Sequence, residues 1–100
     1  MAQVIWTGPA LDNLNDIAEY IELSNPIAAQ DLVQNIFEKV ERLEDQPLSG
    51  RKPPEIEEFE YREVIANPCR IFYKVDAEKA YILFVLRQEQ DLKKYLLSKS

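Results

Sequence analysis

Arg51, Lys52, Arg62, Arg70 and Arg87 are the side chains of this sequence best suited by type and placement to meet an anion or an acidic surface. Ten of the twelve Lys and Arg residues fall in the second half, where nine acids leave a local charge of +1. The first half carries nine acids against Lys39 and Arg42, a local −7, so any anion-facing chemistry belongs after residue 50. There is no histidine, which excludes a metal site or a catalytic triad built on imidazole. Cys69 is the sole cysteine; with no histidine to activate it and no second thiol to pair with, it reads as a small apolar filler at a turn. Each cation also has a plain structural explanation. Arg62 and Arg70 stand near Glu60 and Glu63 on what read as neighbouring strands, where cross-strand ion pairs would account for them. Arg51 and Lys52 lie on a proline-bounded loop, and Arg87 follows a strand.

These side chains need a scaffold, and 100 residues with 46% hydrophobic content allow one core and a single domain over 1–100. A net charge of −6 is the reverse of the basic field expected of a chain that grips nucleic acid by itself. With no secretory segment and no apolar run of roughly 18 residues, a soluble cytoplasmic protein without membrane contact is expected.

Gln3 to Trp6 predicts a strand, and Thr7-Gly8-Pro9 stops it and opens a helix over about 9–23, with Thr7 as cap and Pro9 in the first turn. Ala10, Leu14, Ile17, Ala18 and Ile21 form its apolar face. Asn25-Pro26 restarts a helix over about 26–45, with Ala29, Leu32, Val33, Ile36, Phe37, Val40 and Leu43 continuing the stripe. Pro47 to Pro54 reads as a loop. Three β-like runs follow, Phe59 to Ala66, Arg70 to Val75 and Ala80 to Leu86, separated by short turns that suit an antiparallel meander. The last run, apolar on both faces, is expected at the sheet centre, and Asp91 to Leu97 reads as a short helix or tail. The fold class is α+β: an N-terminal strand and an antiparallel helix hairpin packed on a small, mainly antiparallel sheet.

Taken in order, Trp6, Tyr20-Ile21, Asn25-Pro26 with Ala28-Ala29, Gly50-Arg51, Tyr61-Arg62-Glu63, Arg70-Ile71-Phe72-Tyr73 and Asp91 resemble the ParE/RelE toxin superfamily, closer to ParE. The resemblance spans nearly the whole chain. It implies a toxin that needs no cofactor or metal and that a cognate antitoxin neutralises by wrapping it in a hetero-oligomer. Operator DNA would be met only through that antitoxin. ParE-like members poison DNA gyrase, whereas RelE-like members cut messenger RNA on the ribosome.

The residues separate these two targets. RNA cleavage needs proton transfer at the attacking and leaving oxygens and cations around the phosphate. Arg70 matches an arginine of the RelE-like nucleases, and Tyr95 lies within about one position of their tyrosine. However, the basic residues often present after the last strand are replaced here by Gln88, Glu89 and Gln90. The segment that is lysine-rich in RelE reads Glu55-Ile56-Glu57-Glu58-Phe59-Glu60 and would repel RNA. The reading is therefore a non-catalytic gyrase inhibitor. A RelE-like endoribonuclease, with Arg70 and Tyr95 as its catalytic residues, and a decayed co-repressor of its antitoxin are the alternatives. Apolar residues beyond what one sheet face can cover, Leu11, Tyr20, Leu23, Val33, Phe37 and Val40, are the expected antitoxin contacts.

Overall fold

Thr7 marks the first change of direction in the chain. Its backbone is extended, and its hydroxyl accepts from the Ala10 N–H, capping a helix whose first turn holds Pro9. In the computed structural model, which describes residues 1–98, this junction joins β1 (Gln3–Trp6) to α1 (Gly8–Glu22). Three residues later the Asn25 side chain accepts from Ala28 N at 3.0 Å and Pro26 opens α2 (Pro26–Glu41). So short a connection forces the two helices antiparallel. The helical stripe runs on past Glu41, but Arg42–Glu44 tightens into a 3-10 turn, so regular helix ends earlier than its spacing suggests.

After the loop come β2 (Arg62–Ala66), β3 (Cys69–Asp76), β4 (Lys79–Arg87) and the short α3 (Leu92–Ser98). The sheet order is β1-β4-β3-β2; β2, β3 and β4 form the antiparallel meander, and β1 joins β4 in parallel. β4 is thus interior, as its two-sided apolar pattern requires. β2 starts at Arg62 rather than Phe59. A 3-10 turn over Pro54–Ile56 carries the preceding residues across the sheet, where Phe59 and Tyr61 stack on each other at 5.9 Å instead of pairing.

Strand alternation divides the core in two. Ile71, Tyr73, Ile82 and Val85 meet Leu14, Ile17, Leu32, Ile36 and Val40 of the hairpin on one face. On the other face, Phe72, Phe84 and Leu86 meet Ile56 and Leu92. Each large side chain buried this way contributes about 1.5–3 kcal/mol. Gly50 ties the loop to this frame: its N–H donates to the Tyr73 hydroxyl at 2.9 Å, and that hydroxyl donates to the Pro47 carbonyl at 2.8 Å. A Cβ at position 50 would stand 2.5 Å from the Tyr73 oxygen and 2.8 Å from the Glu63 carbonyl, so only glycine fits. Among the described residues no helix is long and apolar enough to cross a membrane.

Candidate functional site

On β3, alternation turns Arg70 and Phe72 to the face opposite the hairpin, and Glu63 of β2 lies beside them. The 3-10 turn that follows Pro53 brings Glu55 over the same spot. Arg70 Nε donates to Glu63 Oε1 at 2.7 Å, and Nη2 to Glu63 Oε2 at 3.1 Å. Its Nη1 and Nη2 also grip the Glu55 carboxylate at 2.7 and 2.9 Å. Four of the five guanidinium N–H groups are thereby engaged, and the residue is 7% exposed. The Phe72 ring lies 4.9 Å below the guanidinium carbon. Arg70 is therefore held by carboxylates and little exposed, while it still lines a cleft of about 460 Å³ with Arg51, Pro54, Glu55, Ile65 and Gln88. The structure does pair it across the strands with Glu63, but adds Glu55, fifteen residues upstream.

Arg51 completes this network from outside. Its backbone forms an antiparallel bridge with Glu63, and its Nε reaches Glu63 Oε2 at 3.0 Å while its side chain stays 60% exposed. Among the described residues the Arg62 guanidinium meets no carboxylate; its Nη1 donates to the Leu48 and Gly50 carbonyls at 3.2 and 2.8 Å, pinning the loop. The expected ion pair of Arg62 with Glu60 or Glu63 is thus replaced by backbone contacts. Lys52 is exposed. Arg87, at the end of β4, pairs with Glu89 at 3.3 Å and lies 5.4 Å over the Tyr20 ring.

Tyr95 sits on α3, whose first turn is capped by Asp91 accepting from Lys94 N at 3.1 Å. Its ring packs on Phe84 at 5.1 Å, and Phe84 stacks on Phe72 at 4.7 Å. Ring contacts thus run from Tyr95 through Phe84 and Phe72 to the Arg70 guanidinium. Burial pushes the Cys69 thiol up to about 11, so it stays protonated at neutral pH.

The Arg70 hydrogen bonds hold the Glu55 carboxyl down, from the ordinary 4.5 to about 2. A depressed carboxyl contributes stability that is complete above 4.5 and lost as pH falls toward 2. Urea unfolding from pH 6 to pH 2 is expected to show this loss, and Glu55→Gln to flatten the profile between 4.5 and 2. An unchanged slope in the variant would contradict the assignment.

The hairpin presents the second candidate surface. Leu11, Tyr20, Leu23 and Phe37 are exposed and Val33 is half-buried. Val40 is 1% exposed inside the core and leaves the set of possible contacts, because its turn of α2 lies directly on the sheet. Ile27 joins the surface at 71% exposure; it escaped the sequence reading because it lies off the helical stripe. The Phe37 ring lies tilted against Trp6, with centroids 5.0 Å apart, and a groove of about 420 Å³ between α1 and α2 is lined by Leu11, Asp12, Leu14, Asn15, Ala18 and Val33.

The model of a family described as the ParE toxin of the type II toxin–antitoxin system parDE matches residues 4–92. The chain belongs to the ParE toxin family. That match runs from β1 to the start of α3 and so includes the Arg70 network and both helices of the hairpin. The chain is also similar to Toxin RelE2 of Caulobacter vibrioides, with 39% identity over 51 residues, 51% of this chain and 58% of that protein. It therefore spans little more than half the length of this curated relative. Its fold is that of a chain from the chromosomal ParDE TA system of P. aeruginosa, at a TM-score of 0.71 and 24% identity, covering 87% of this chain and 96% of that one.

Proposed function

We propose that the chain is a type II toxin that inhibits DNA gyrase by protein–protein contact, catalyses no reaction itself, and is neutralised by a cognate antitoxin in a cytoplasmic hetero-oligomer. The observation that supports the non-catalytic part is the engaged guanidinium of Arg70, bonded to Glu55 and Glu63. A nuclease needs that cation turned toward the scissile phosphate. Membership of the ParE family supports gyrase as the target over the ribosome, with Arg51, Lys52 and Arg87 as exposed or half-exposed contact candidates. Antitoxin capture is assigned to the hairpin surface around Leu11, Tyr20, Leu23, Val33 and Phe37, and operator DNA would be reached through the antitoxin.

The likeness to Toxin RelE2 favours a second reading, ribosome-dependent cleavage of messenger RNA. Purified protein is expected to inhibit gyrase supercoiling and to leave messenger intact in a reconstituted translation reaction. Cleavage at defined codons would replace the first reading with the second. Normal growth on expression without antitoxin would indicate a non-toxic co-repressor instead.

A further inference from the structure

The sheet has two edges, and only one of them is guarded. On β2 the Arg51 backbone bridges Glu63, and the Lys39 ammonium donates to the Ile65 carbonyl at 3.2 Å. β1, at the other edge, has no such cover. Gln3 N–H donates to the Glu78 carbonyl at 2.8 Å and Thr7 N–H to the Ile82 carbonyl at 3.1 Å, so the backbone groups of residues 3, 5 and 7 face β4. Those of Val4 and Trp6 alternate to the outer side. Among the described residues no hydrogen-bond partner meets the N–H or C=O of either. Both residues are only half-buried, so solvent reaches this edge. Edge strands are commonly protected from further pairing by a charged side chain or a proline, yet residues 1–7 hold neither.

The unmet groups fit one another. When two copies of β1 run antiparallel about a two-fold axis at Ile5, Val4 of each copy stands opposite Trp6 of the other. Each such pair exchanges both of its backbone bonds, so every outward N–H and C=O of the two strands is used. Other registers fail. A slide one way sets Trp6 against Ala2, whose N–H is already given to the Glu44 carbonyl at 2.7 Å, and a slide the other way sets Val4 against Gly8 of α1. The side chains agree with this register. Val4 and Trp6, both packed on the hairpin side of the sheet, become an aromatic and β-branched cross-strand pair. On the opposite face Ile5 meets its own copy next to Tyr81, its neighbour in β4; Ile5 is half-buried and belongs to neither core cluster.

We propose that the free chain pairs with a second copy of itself through β1, joining two four-stranded sheets into one across a two-fold axis. Each copy carries a net charge of −6, so the contact forms against repulsion and salt strengthens it. The inference stands apart from the choice of target.

Ile5→Cys reads the register directly. Opposed residues that exchange no hydrogen bonds have Cα atoms about 4.5 Å apart, within disulfide reach. In Gln3→Cys the two new thiols would stand roughly 13 Å apart along the strands, beyond that reach. Cys69 is buried and stays out of the reaction. Under mild oxidation Ile5→Cys is expected to cross-link at least about tenfold faster than Gln3→Cys. Sedimentation equilibrium of the wild-type chain should show a monomer–dimer equilibrium that tightens about tenfold from low to high salt. Ile5→Lys should shift it to monomer with an unchanged circular dichroism spectrum, because two like charges would then stand directly opposed. Equal cross-linking of the two cysteine variants, or a wild-type chain that stays monomeric at both salt concentrations, would overturn the proposal. A monomeric wild type whose Ile5→Lys variant binds antitoxin more weakly would give this edge to the antitoxin and overturn it equally.

Discussion

Replacing Arg70 by methionine is expected to lower the unfolding free energy by about 3 kcal/mol, because it leaves the carboxylate of Glu63 buried with one partner in place of two. The side chain of Glu63 is fully shielded, and Arg51 reaches it only from an exposed position. Removing one member of a buried ion pair is far more damaging than removing both. Arg70→Met combined with Glu63→Met should therefore recover most of the loss, since an apolar pair of similar size avoids the desolvation of two charges. Urea denaturation of the single and double variants measures this directly. A nuclease arginine would behave in the opposite way: the single variant would keep its stability and lose RNA cleavage. Native-like stability in Arg70→Met would therefore return Arg70 to the list of working residues.

The parts of the fold that were legible in the sequence are those encoded locally. Thr7 and Asn25 cap helices because short polar side chains there accept from the first free N–H groups, and both helices begin as those residues require. β3 declared itself by aromatic and branched residues and β4 by a run apolar on both faces. What escaped depends on contacts distant in sequence. Four residues of β1 carry no code for a parallel partner, and nothing before Arg62 distinguishes a strand from a stacked Phe59–Tyr61 pair lying outside the sheet. Val40 has the same spacing as Phe37, yet one is buried and the other 42% exposed, because only the docking of α2 on the sheet decides which part of a wide stripe faces water. The candidate site was half legible. Glu63 was visible as a neighbour of Arg70, but Glu55 belonged to an acidic run that reads as a repulsive surface until the 3-10 turn folds one of its members inward.

Association with the antitoxin is expected to slow at least about tenfold between low and high salt, while dissociation changes little. The surface that carries the exposed Leu11, Tyr20, Leu23 and Phe37 also carries exposed Asp12, Asp16, Glu19, Glu22, Asp31 and Glu38. These acids lie within the half of the chain whose local charge is −7, so a matching segment should set basic residues around its apolar anchors. Such charges act before contact, and their reach shrinks from about 30 Å at 0.01 M salt to about 10 Å at 0.1 M, which is why the association rate responds. Once docked, such a complex is held by apolar burial that salt does not screen, with Phe37, tilted against Trp6, as a candidate anchor. Phe37→Ala should accordingly weaken binding by about 2 kcal/mol through faster dissociation, at both salt concentrations. Stopped-flow association with wild-type and charge-reversed antitoxin segments separates the two contributions. If the rate ignores both salt and charge reversal, the acidic hairpin plays no part in steering, and its carboxylates are a solvated face only.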